Sequence, residues 1–157
     1  MTTMNSGGRT AGRANIQKAT LAVGVVFLLV GVLGFIPGIT SNYESLGFAG
    51  HGSGALLLGI FQVSILHNIV HLLFGIAGVA MARSAAASRN YLVVGGAIYL
   101  VLWLYGLLID QDSGANFVPV NSADNWLHFV LGVAMIGLGV GLSRGTARTG
   151  RTSTAAR

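Results

Sequence analysis

The chain has 157 residues, 53% of them hydrophobic and only 8% charged, with a formal net charge of +5. A soluble domain carries about 25% charged residues, so this composition excludes a disordered chain and disfavours a soluble enzyme or a nucleic-acid module. The lack of cysteine excludes a disulfide scaffold, a thiolate metal site and a cysteine nucleophile.

The chain opens with a tail over residues 1–17 that is rich in Gly, Ser and Thr and carries Arg9 and Arg13. It is expected to be disordered. From 18 to 143 the composition is that of a membrane domain with four apolar spans. Ala19–Ile36 is the first, with Thr20 its one polar side chain. Its apolar run exceeds the 7–15 residues of a signal-peptide core, and no small-x-small cleavage site follows, so a retained helix is expected. Ser45–Gly54 reads as a loop, and Ala55–Ala82 as the second helix. Tyr91–Ile109 and Asn125–Ser143 give the third and fourth spans. About 20 apolar residues cross a ~30 Å hydrocarbon core, and all four qualify. Residues 144–157 form a second basic tail that is also expected to be disordered.

Charge placement sets the expected topology. Arg9, Arg13, Lys18, Arg83, Arg89, Arg144, Arg148, Arg151 and Arg157 all fall in the tails or between spans two and three. Glu44, Asp110, Asp112 and Asp124 fall in the other two loops or at their edges. The positive-inside rule then places both termini in the cytoplasm of a bacterial plasma membrane. The basic tails are suited to anionic lipid headgroups. No aromatic residue interleaves with the arginines, so nucleic acid is not an expected partner. A membrane-protein partner or a homo-oligomer is.

Spans two and four share N-x-x-H-x-x-x-G-x-A. Asn68, His71, Gly75 and Ala77 match Asn125, His128, Gly132 and Ala134 at an offset of 57. Spans one and three align more weakly at 72, where Gly24, Leu28 and Gly34 meet Gly96, Leu100 and Gly106, and Phe27 meets Tyr99. With so few histidines in the chain, this points to a duplicated helical hairpin.

Within span two, Ser64, Asn68, His71, Gly75, Gly78 and Ala82 follow 4-3-4-3-4 spacing, which is one helical seam. Asn121, Asn125, His128, Gly132, Met135 and Gly139 form its counterpart. Polar seams turn away from lipid, and glycines allow close helix approach. The expected fold class is therefore all-α, an integral membrane four-helix bundle with a polar outer interior and a small-residue inner one. By depth, His67 and His128 each lie 16 residues from a basic flank, while the repeat pairs His71 with His128. Both pairings place histidines in the outer half.

The segments HNIVHLLFGIAGVAMAR (His67–Arg83) and ADNWLHFVLGVAMIGLG (Ala123–Gly139) resemble an actinobacterial family of four-helix membrane proteins, domain of unknown function four-three-eight-three. The resemblance spans Lys18 to Ser143. It implies the four-span fold and a bacterial inner membrane, and it supplies no activity and no catalytic residues.

Four roles remain open for the histidines. In the leading one no cofactor is bound: Asn and His bond across the bundle, each pair worth about 0.6 kcal/mol, with Tyr99 as a further partner. In the second, His71 and His128 ligate a haem b whose ring occupies space left by Gly75 and Gly132. In the third, His67, His71, His128 and Asp124 hold a divalent metal, with His51 as a flexible extra ligand. In the fourth, a histidine pair relays protons or lines a transport path. No P-loop lysine, nucleophile elbow or paired interior carboxylate occurs, so an enzyme is not expected. Trp103, Tyr105, Trp126 and Tyr91 read as interfacial anchors.

Overall fold

The computed structural model describes residues 14–154, with side chains as far as Ser143. The expected N-terminal tail up to residue 13 lies outside the described residues. Four helices dominate: α1 (Asn15–Leu33), α2 (Ile65–Met81), α3 (Ala85–Leu108) and α4 (Ser122–Thr154). Three of these are long and apolar enough to cross a membrane, Asn15–Leu33, Ala85–Leu108 and Ser122–Ser143, and α2 is a shorter apolar helix. The outward faces carry exposed aliphatic side chains such as Leu29, Leu73, Val101 and Val130. Buried residues include Thr20, Ser64, Asn68, Ser88 and Asn125. Apolar side chains outward and polar groups inward are what a lipid surround requires. The chain is a membrane protein built from apolar helices.

Local sequence explains where the helices start. Ser64 caps α2 by accepting from the backbone N–H of His67 at 3.1 Å, and Ser84 caps α3 by accepting from Ala87 at 3.2 Å. At α4 the cap is reciprocal. Asn121 Oδ1 accepts from Asp124 N at 2.9 Å, and Asp124 Oδ2 accepts from Asn121 N at 3.0 Å. The helical backbone of α4 runs past the end of the apolar stretch to Thr154, where a disordered tail was expected. Propagating an existing helix needs no new nucleus.

The second span is shorter than its hydropathy implies. Residues 55–64 are not helical. They hold strands β2 (Leu56–Leu57) and β3 (Phe61–Gln62), which with β1 (Thr40–Ser41) make a three-stranded antiparallel sheet in the order β1-β2-β3. Thr40 pairs with Leu57, and Leu57 with Phe61. The turn between β2 and β3 has Leu58 at φ 55° and Gly59 at φ 72°, the two positive values of a type I′ hairpin turn. An apolar run reads the same as strand or helix by hydropathy alone, and here the Leu58-Gly59 turn decides it. The 17 residues of α2 span about 25 Å, and the sheet caps its outer end.

The helices pair as α1 with α2 and α3 with α4, each antiparallel and far closer than across the two pairs. Glycine makes the approach possible. A Cβ on Gly24 would lie 2.8 Å from Val79 N and 3.0 Å from Gly75 O. A Cβ on Gly96 would lie 2.8 Å from Gly132 O. Between the two pairs, aromatic rings fill the interior. Phe27 stacks on Tyr99 at 5.4 Å between centroids, and Phe74 meets Tyr99 edge-on at 5.7 Å. The inner half is therefore not lined by small residues alone. Glycines sit where helices touch, and aromatic rings sit where the pairs stand apart. Tyr91, expected as an interfacial anchor, is buried and donates to the carbonyl of Phe74 at 3.1 Å.

Candidate functional site

Both seams face inward. Ser64, Asn68, His71, Gly75, Gly78 and Ala82 are all buried on α2. Asn125, His128, Gly132, Met135 and Gly139 are buried on α4, with Asn121 half-buried at its cap. The two histidine motifs therefore converge on one region of the outer interior.

Asn68 and Asn125 each lie over a glycine at or near the end of the preceding helix. The Asn68 amide occupies the place a Cβ of Gly34 would take, and the Asn125 amide that of a Cβ of Gly106. Two turns deeper, Leu28 fills the groove at Gly75, 2.7 Å from a Cβ placed there, and Leu100 fills the groove at Gly132 at the same distance. The two seam glycines expected to leave room for a porphyrin are thus packed by leucines. Hydrogen bonding across the bundle is not how the asparagines are held. Neither amide atom of Asn68 has a partner, nor does Asn125 Oδ1. Opposite them stands glycine, which offers no side-chain donor or acceptor.

The histidines divide by what their nitrogens do. His71 Nδ1 donates to the carbonyl oxygen of His67, one turn back, at 3.0 Å. A carbonyl only accepts, so the proton sits on Nδ1, and the neutral ring keeps its lone pair on Nε2. His67 lies 4.5 Å from His71, centroid to centroid. His128 and Tyr99 meet edge to face, 5.1 Å between ring centroids. The Nδ1 atoms of His67 and His128 are buried and have no hydrogen-bond partner. All three imidazoles line two adjoining cavities, of about 140 and about 90 Å³. His67 and His71, one helical turn apart, thus share these cavities with His128.

Asp124 borders the smaller cavity, but its carboxylate is engaged with backbone. Besides closing the α4 cap, Oδ2 accepts from Gln62 N of β3 at 2.8 Å. His51 is exposed on its loop and lines neither cavity. Among the described residues, no group of three or more His, Cys, Asp or Glu side chains is disposed to hold a metal ion.

Sequence reasoning missed the residues that close the outer end. Asn116 donates to the carbonyls of Gln111 and Val120 and accepts from Val120 N at 3.0 Å, which folds the α3–α4 connection over the site. Asn121 Nδ2 donates to Ile60 O at 2.7 Å, and Gly50 N to Phe117 O at 2.7 Å, which ties this connection to the sheet side. The N-x-x-D spacing of Asn121 and Asp124 was a legible capping signal. Nothing in the sequence pairs Gln62 with Asp124. Trp126 stands exposed at this end as an anchor should, while Trp103 packs on Phe129 at 4.7 Å.

No curated protein and no solved structure matches this chain. A family model, described as a domain of unknown function (DUF4383), matches residues 17–141. That stretch takes in α2, α3, both histidine motifs and most of α1 and α4, and the chain belongs to this family.

Proposed function

We propose that the chain is a multi-pass membrane protein of structural or accessory role, built as a duplicated helical hairpin clasped by its Asn/His seams. Both termini would lie on the cytoplasmic side of a bacterial plasma membrane. The observation that carries this reading is one packing device used twice. Asn68 over Gly34 and Leu28 over Gly75 recur as Asn125 over Gly106 and Leu100 over Gly132, at the two offsets of the sequence repeat. Such packing is the chief source of helix association in lipid, where no hydrophobic force acts between helices. The orientation rests on Lys18, Arg83 and Arg89 at one end of the bundle and Glu44, Asp110 and Asp112 at the other.

Haem is the weaker reading, because Leu28 and Leu100 fill the grooves at Gly75 and Gly132. A cavity of about 140 Å³ also falls below the ~300 Å³ at which cofactor pockets begin. The test is purification in mild detergent of wild type, His71→Ala and His128→Ala. Both variants are expected to unfold at lower temperature, with no Soret absorption and no stoichiometric metal in the wild type. A stoichiometric haem or metal in the wild type, lost from either variant, would overturn the structural role.

A further inference from the structure

The larger cavity has features that packing alone does not call for. Its inner wall is made by His67, His71, Tyr99 and His128. The histidines on α2 and α4 are at least nine-tenths buried, and two of them hold a partnerless Nδ1. His71, bonded to the helix backbone through Nδ1, keeps the lone pair of its Nε2. The rim is apolar and outward-facing. Val70 on α2 and Leu102 on α3 are about 40% exposed, and Phe117 of the outer connection is 59% exposed. No charged residue lines this cavity. The exposed part of the lining, on α2, α3 and the α3–α4 connection, is thus apolar and suits entry from lipid.

Size narrows the occupant. An apolar protein cavity of about 150 Å³ takes up benzene, so about 140 Å³ accommodates one six-membered ring. A neutral imidazole offers one donor and one acceptor nitrogen, which matches either a carbonyl or a hydroxyl on that ring. We infer that this cavity binds the oxygen-bearing ring of a lipid-soluble quinone or phenol, inserted from the bilayer between α2 and α3 with its tail left in the lipid. The oxygen meets the histidines of the wall, and the ring lies beside Tyr99. His71 keeps its orientation through the bond of Nδ1 to the helix backbone. This goes beyond a structural role and does not depend on it.

The test uses the full chain in lipid nanodiscs and three probes: 2-decyl-1,4-benzoquinone, decylbenzene as the same shape without oxygen, and phenol as a ring without a tail. The chain has no cysteine for a quinone to alkylate. At a hundredfold excess over Kd, bound ligand raises the unfolding temperature by about 5–10 °C. That rise is expected for the decyl quinone, with little for decylbenzene. His128→Leu is expected to weaken quinone binding about tenfold, and His128→Gln less so. Val70→Trp and Leu102→Trp, both on lipid-facing surface, are expected to block the mouth and abolish the shift while keeping the fold. The inference is overturned by an equal shift with decylbenzene, by unchanged quinone binding in both tryptophan variants, or by no shift with any probe. A shift with phenol alone overturns entry from the bilayer. Should His128→Leu fail to fold, the tryptophan variants decide.

Discussion

Replacing Gly24 by alanine tests the packing at its tightest point. The new Cβ would stand 2.8 Å from Val79 N and 3.0 Å from both Gly75 O and Gly78 C, all backbone atoms that no rotamer change can move. Ordinary contact begins near 3.4 Å, so α1 and α2 must separate by about 0.6 Å. Overpacking of this kind costs about 1–3 kcal/mol, a drop of about 5- to 150-fold in the folding constant. Gly96→Ala meets Gly132 O at 2.8 Å and Ile136 N at 3.0 Å, and it should cost the same within about 0.5 kcal/mol if the hairpins are equivalent. Gly137→Ala is the control. Nothing lies within 4 Å of its Cβ, so the substitution should be neutral or stabilising by up to about 1 kcal/mol. Reversible unfolding in bicelles, followed by helical circular dichroism, measures all three. If Gly24→Ala proves as stable as Gly137→Ala, the close backbone approach does not hold the hairpin together and the packing argument fails.

Further outcomes follow from the outer end and the seams. Asp124→Ala strips the acceptor from two backbone N–H groups, of Gln62 and Asn121. It should destabilise by about 1–3 kcal/mol, and Asp124→Asn should cost less in the same unfolding assay. Asn116→Ala removes three hydrogen bonds and should speed amide exchange across 109–121 while leaving the amides of α1 protected. Asn68→Val exchanges two unpartnered buried polar atoms for apolar ones of similar bulk. It should be neutral or stabilising, whereas a clear loss would reveal a partner for the amide. The cysteine-free chain also permits a direct topology test. Single cysteines at Glu44 and Asp112 should react with an impermeant maleimide on intact cells, and one at Ala86 only after permeabilisation.

Much of this architecture was legible because lipid imposes simple rules. Polar groups must turn inward, so the spacing of Asn68, His71 and Gly75 was enough to orient α2. The recurrence of the same letters at Asn125, His128 and Gly132 oriented α4. What stayed hidden depended on contacts distant in sequence. The strands at Leu56 and Phe61 sit in a run as apolar as any helix, and only the left-handed pair Leu58-Gly59 breaks it. Asp124 looked like a metal ligand because a carboxylate near histidines satisfies that pattern as well as it satisfies a helix cap. The leucines that fill the seam grooves, Leu28 and Leu100, matched each other in the repeat, yet leucine is too common in such chains to announce what it touches.

The bonds at the outer end join parts of the chain made at different times. Gly50 to Phe117, Gln62 to Asp124 and Asn121 to Ile60 each link the first half of the sequence to the second. None can form until both connections are in place, whereas the Gly24 and Gly96 contacts need only their own hairpin. Each hairpin can pair by itself, and the bonds of the cap need both. A chain whose second half is misoriented would leave Asp124 on the wrong side and the sheet edge open.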